Sequence, residues 1–239
     1  MKKILYSALL VTSAALTTLP VEAKIIHLLP RPHLLVPAAG QPPFSLGRAV
    51  SISDPTACTA LSMFFTAHGC TLKSGAAARV TVELVGRIDG AHDYVLADFP
   101  NEAYALDISA DAVAIKAVTP TGVIRAAQTL AQLAEGYDGG MPALEALSMT
   151  DWPAFKLRGF MHDVGRSFVS FDELKKEIDL LARFKVNVFH WHLTEKLAWR
   201  FEVKAYPQLT ADENMIRYAG QYYTQEQCRE LQAYAAERG

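Results

Sequence analysis

The sequence predicts an α/β protein in two parts, an N-terminal α/β domain with a mixed sheet and helices followed by the start of a parallel β/α array. Three observations predict it. Strand-like alternation and helix-like periodicity both occur in the first part, the second part repeats strand and helix in that order, and both of its helices open on a capping box. The composition agrees, since 239 residues with 51% hydrophobic and 20% charged side chains describe a core-forming chain. With 23 Lys+Arg against 25 Asp+Glu the formal net charge is -2. That balance offers no field to recruit nucleic acid or an acidic membrane surface, and a small neutral ligand fits it better.

Residues 1–23 read as a secretory signal peptide. Lys2 and Lys3 precede an apolar run over residues 4–16, and Val21-Glu22-Ala23 supplies small residues before Lys24. The run is too short for the roughly 20 residues that span a bilayer. The expected destination is therefore periplasmic or extracellular, with no membrane span left after cleavage.

Residues 24–150 form the first domain. Leu29-Pro30-Arg31-Pro32 and residues 37–43 predict an extended lead-in, because proline fixes φ and removes donors. Residues 56–68 predict a helix stopped at Gly69. Val80, Val82 and Leu84 alternate as in a strand, and residues 104–108 with 113–118 predict a hairpin about Ser109-Ala110-Asp111. A helix from about Thr119 places Val123, Ile124, Ala127, Leu130 and Leu133 on one face. Little charged chemistry is on show, so a scaffold is the expected role. Of three cysteines, Cys58 and Cys70 would lie far apart on or near the same helix, which predicts free thiols rather than a disulfide.

Residues 151–239 begin something new after the loop at Tyr137-Asp138-Gly139-Gly140. A strand is predicted over 157–164. Ser170 with Glu173 caps a helix striped by Leu174, Ile178 and Leu181. A second strand follows over 187–193, and Thr224 with Gln227 caps a last helix lined by Leu231, Tyr234 and Ala235. Two β/α units predict a parallel sheet or a (β/α)₈ barrel; a barrel takes about 250 residues, so an unfinished one with an unpaired edge is expected.

Functional groups of parallel β/α folds collect at the C-terminal ends of strands. There the first strand carries Met161-His162-Asp163-Val164-Gly165-Arg166 and the second His190-Trp191-His192-Leu193-Thr194-Glu195. Packing alone does not require so many polar groups. Arg166 is a permanently charged fork suited to paired oxygens, with Asp163 near enough in sequence to hold it. His190 and His192 share one strand face. They are either two hydrogen-bonding histidines or half of a metal site, although no further ligand stands out in the sequence. Trp199 suits a sugar-stacking platform or ordinary core equally.

The run Arg158-Gly159-Phe160-Met161-His162-Asp163-Val164-Gly165-Arg166, with Lys185-Val186-Asn187-Val188-Phe189-His190-Trp191-His192-Leu193 and Trp199-Arg200, resembles the family 20 glycoside hydrolases, the β-N-acetylhexosaminidases. Tyr206-Pro207-Gln208-Leu209 and Tyr223-Thr224-Gln225-Glu226 continue it in order. Ala126-Ala127-Gln128-Thr129-Leu130-Ala131-Gln132-Leu133 resembles the α/β domain that precedes the barrel in that family.

The resemblance implies a truncated (β/α)₈ TIM barrel and an exo-acting enzyme that removes terminal N-acetylglucosamine or N-acetylgalactosamine from glycans without a cofactor or metal. The substrate's acetamido oxygen is the nucleophile, an Asp orients it, and an adjacent Glu is the general acid. By matching position, Arg166, Glu195 and Trp199 are implied to bind the sugar, with Asp163, His190 and His192 supporting the site. Glu195 stands where Asp is common, Lys196 follows it, Leu197-Ala198 replace a frequent Gln-Gly, and Ser167 replaces a frequent His. These departures bear on sugar specificity. No catalytic residue is assigned, because the family's Asp-Glu pair is expected beyond Gly239, and the chain alone is expected to be inactive. A non-catalytic sugar-binding fragment and a metal-dependent barrel hydrolase using His190 and His192 remain the alternatives.

Overall fold

Alternation between inward apolar and outward polar residues builds the first unit. The computed structural model describes residues 26–47, 49–53, 59–74, 79–91, 101–135 and 142–239. The expected signal peptide, Cys58, the start of the helix expected from residue 56, and the loop at 137–140 lie outside them.

The strands of the first unit are β1 (Leu34–Pro37), β2 (Phe44–Ser45), β3 (Ala49–Ile52), β4 (Thr71–Ser74), β5 (Val80–Leu84), β6 (Tyr104–Ile108), β7 (Val113–Ala117), β8 (Ala143–Leu144) and β9 (Leu147–Asp151). Its helices are α1 (Thr59–Ala67) and α2 (Pro120–Glu135). Seven strands make one mixed sheet in the order β1-β9-β6-β7-β5-β3-β4, and β2 pairs with β8 apart from it. The expected hairpin is present, with Ile108 opposite Val113 and Ser109 accepting and donating across the turn. Buried Leu106, Ile108, Val113 and Ile115 meet Val123, Leu130 and Leu133 of α2 in one core. Gly122 lets that helix approach the sheet. A Cβ there would lie 2.7 Å from the Ala103 carbonyl oxygen and 3.1 Å from the Ala117 Cβ.

Several expectations change here. The proline-rich lead-in contains β1, an edge strand paired antiparallel with β9, and edges are where strands tolerate proline. Asp151, the first residue of the expected second part, is the last of β9, which lies between β1 and β6. Leu84, expected on an inward face, is exposed. Cys70, by contrast, is the free buried thiol expected.

In the second unit β10 (Gly159–Asp163) and β11 (Val188–His192) are parallel, in register from Gly159 opposite Val188 to Asp163 opposite His192. Helix α3 (Phe171–Arg183) connects them. Ser170 accepts from the Glu173 amide, and the Glu173 carboxylate accepts from the Ser170 amide. A short hairpin, β12 (Thr194–Glu195) with β13 (Ala198–Trp199), then 3₁₀ turns at Pro207–Thr210 and Asp212–Asn214, lead to α4 (Gln225–Ala236), capped by Thr224 and Gln227 as expected. Val164, Leu174, Ile178, Tyr223 and Leu231 form the core, with Phe189 and Trp191 against it. Ala182, rather than Leu181, is the third buried residue of α3.

The first unit was expected to carry little charged chemistry, yet a buried ionic cluster lies where the units meet. Glu102, 4% exposed, accepts from Arg125 Nε and from an Arg158 terminal nitrogen, both at 2.5 Å, and from Asn187 Nδ2 at 3.2 Å. Lys185 Nζ donates to Asp151 Oδ2 at 2.7 Å and to the Tyr104 hydroxyl at 2.9 Å. Burial lowers the pKa values of Arg125 and Lys185, and Glu102 and Asp151 act against that loss. His33 stacks on Trp152 at 3.9 Å beside this cluster.

Candidate functional site

Register decides which side chains meet. Asp163 ends β10 opposite His192, the end of β11, so their side chains emerge together at the C-terminal edge of the parallel pair. One turn later the chain returns at Arg166, whose backbone N–H donates to Asp163 Oδ1 at 3.1 Å. The Arg166 side chain, 66% exposed, then spans two carboxylates. Its Nε lies 3.0 Å from Asp163 Oδ2 and a terminal nitrogen 3.3 Å from Glu195 Oε1.

Glu195 reaches this pair from the β12 hairpin. The Lys196 backbone N–H donates to it at 2.7 Å, and that bond, followed by the Arg166 guanidinium, holds its carboxyl below the usual glutamate range. Gly165 makes the approach possible. A Cβ on it would lie 2.7 Å from the Glu195 Cβ and 3.1 Å from the Glu195 amide nitrogen. No other residue type fits between the strand end and the hairpin without displacing one of them.

The three histidines separate. His162 points to α3, where its Nδ1 lies 2.8 Å from Glu177 Oε2, so it does not join Asp163. His190 is exposed, and its ring is 6.1 Å from that of His192. His192 Nε2 is buried with no hydrogen-bond partner among the described residues. The metal alternative paired His190 with His192; the group with metal-ligand spacing is instead Asp163, His192 and Glu195, whose ligand atoms lie within 4.8 Å of one another. Arg166 bridges both of those carboxylates, and a divalent ion would have to displace its charge. The further ligands missed in the sequence are those brought up by strand register and by the hairpin.

Trp199 is half-buried on β13, opposite Thr194, and its indole N–H donates to the Phe201 carbonyl at 2.7 Å. Asp212 and Glu213 sit exposed in a 3₁₀ turn.

Fold and site together define a β/α protein of the barrel-building kind, with a guanidinium clamped between acids at the carboxyl ends of its parallel strands. The chain belongs to glycosyl hydrolase family 20: residues 26–152 match domain 2 of that family, and residues 155–239 match its catalytic domain. It is 42% identical over 149 residues to a beta-hexosaminidase of Porphyromonas gingivalis, covering 57% of this chain and 19% of the relative. It is 38% identical over 167 residues to a beta-hexosaminidase of Vibrio furnissii, covering 63% and 27%. A solved GH20 exo beta-N-acetylglucosaminidase of Vibrio harveyi, in complex with N-acetylglucosamine, superposes with a TM-score of 0.72 at 29% identity, over 91% of this chain and 36% of that one. The chain thus spans less than a third of these curated relatives' length.

Proposed function

We propose that this chain carries the sugar-gripping part of an exo-acting β-N-acetylhexosaminidase, which releases terminal N-acetylglucosamine or N-acetylgalactosamine from glycans. The observation that carries the reading is Arg166 held between Asp163 and Glu195. Two carboxylates hold the fork while its side chain stays 66% exposed, an arrangement suited to vicinal hydroxyls of a terminal sugar. Prepaying that orientation before substrate arrives is what a recognition residue needs. His192 supports the same edge, and Trp199 borders it on the hairpin.

The chemistry proposed is substrate-assisted hydrolysis with retention. The acetamido oxygen attacks the anomeric carbon, a carboxylic acid protonates the leaving oxygen, and water then opens the cyclic oxazolinium intermediate. Residues 1–239 contain no Asp-Glu pair in the motif this step requires, Asp212-Glu213 being exposed in its turn. The 239-residue chain alone is expected to leave substrate uncleaved. In the product of the intact gene, a chromogenic N-acetyl-β-D-glucosaminide should be hydrolysed, and Arg166→Ala should lower kcat/KM by about 2–5 kcal/mol of transition-state binding. An unchanged kcat/KM would remove Arg166 from the site. No hydrolysis by the intact product, with tight sugar binding retained, would favour a non-catalytic binding protein instead.

Export is part of the proposal, supported by the charged, apolar and small-residue regions of residues 1–23. Terminal sequencing of protein recovered outside the cytoplasm should start at Lys24; recovery of intact Met1 there would refute cleavage.

A further inference from the structure

Arg200 is fully buried, at 0% exposure, and forms no ion pair among the described residues. Its donors go to backbone carbonyls, with one further contact to the Met215 Sδ at 3.4 Å. Nε donates to Val164 O at 3.2 Å, one terminal nitrogen to Tyr218 O at 2.9 Å and Gln221 O at 2.7 Å, and the other to Arg217 O at 2.7 Å. Its own backbone joins the same structure, since Arg200 N–H donates to Leu193 O at 2.9 Å and its carbonyl accepts from Tyr223 N–H at 2.8 Å. A buried guanidinium without a carboxylate is costly, and burial lowers its pKa. Four well-made bonds to carbonyls offset that cost only while all of those carbonyls stay in place.

The carbonyls are not random neighbours. Val164 lies between Asp163 and Arg166, in the turn whose geometry directs the Arg166 side chain. Val164 and Gly165 also donate their N–H groups to His192 O, at 3.1 and 3.3 Å. Arg217, Tyr218 and Gln221 belong to the loop that precedes α4, where Tyr218 holds a left-handed φ of 52°. One side chain therefore ties the Arg166 turn, the end of β11 and this loop into one rigid piece.

We propose that Arg200 is a positioning residue for sugar recognition, holding the 163–166 turn through the Val164 carbonyl so that Arg166 meets the substrate in register. This rests on the functional reading above. Lysine in its place carries the charge but not the planar fork, and cannot reach four divergent carbonyls from one ammonium.

The test uses the product of the intact gene and a chromogenic N-acetyl-β-D-glucosaminide. Arg200→Lys and Arg200→Gln are each purified as folded monodisperse protein, and KM and kcat are measured separately. Loss of folded enzyme lowers apparent kcat at constant KM, whereas a displaced Arg166 weakens sugar binding and raises KM. The expected result is a KM rise of about tenfold or more in either variant, on the scale of a slightly misplaced binding group. In an Arg166→Ala background the same substitutions should leave KM unchanged, because the group they position is gone. KM unmoved by both variants, or raised equally with and without Arg166, would overturn the inference while the enzyme stays active. A wild-type product that cleaves no N-acetylhexosaminide would overturn the functional reading and this inference with it.

Discussion

At the scale of single residues, Glu195 is the most informative side chain. The Lys196 N–H and then the Arg166 guanidinium favour its ionised form, so its folded pKa lies below its unfolded one. Linkage gives the sign. Its contribution to stability is fully present above the ordinary glutamate pKa and is lost as pH falls through the lowered folded value. A carboxyl NMR titration should place the Glu195 midpoint below 4.5. Arg166→Ala should raise that midpoint only part of the way, because the Lys196 amide, the larger cause, remains; a midpoint already at or above 4.5 in the wild type would break the argument. The residues of this site were partly legible in the sequence. Arg166 and Asp163 are three apart and declare their pairing, whereas Glu195 arrives from a hairpin whose register no local pattern encodes. His162 misleads for the opposite reason: its neighbours in sequence point to the site, but strand alternation turns it to Glu177.

At the scale of elements, local signals read well and distant pairings poorly. The capping boxes at Ser170 and Thr224 depend on residues three apart, and both are made. Ser170→Ala removes the acceptor for the Glu173 amide and should cost about 1 kcal/mol, measured as a shift in denaturant midpoint at unchanged slope. A shift within error would mean that packing of Leu174 and Ile178 alone holds the helix start. By contrast β1 and β9 were hidden. Pro37 disguises an edge strand, and Asp151, a charge at an inward position, masks the end of an interior one. What makes them strands is pairing with residues more than a hundred positions away, or with β6 across the whole of α2, and such contacts leave no periodic trace.

At the scale of the whole molecule, the units meet through charge rather than through a continuous apolar core. Glu102 draws together Arg125 of α2, Arg158 at the start of β10 and Asn187 at the start of β11. Removing the carboxylate takes from buried Arg125 and half-buried Arg158 their shared counter-charge and leaves both with neutral acceptors. Glu102→Ala should therefore destabilise the protein by about 3–5 kcal/mol in equilibrium denaturation, far beyond the cost of a surface pair. A loss under 1 kcal/mol would show that water reaches the cluster. The sequence held no sign of this junction, since its members are scattered from residue 102 to residue 187 and nothing in the local pattern around any of them points to the others.

That junction also bears on how the molecule is made. The sheet that presents Glu102 and Asp151 is synthesised before Arg158, Lys185 and Asn187 leave the ribosome, and domains generally fold in that order. The first unit is then a mould awaiting the second. It offers two fixed anions to which the incoming strand starts are fastened, so the alignment of β10 with β11 is set from behind, at the end remote from the sugar.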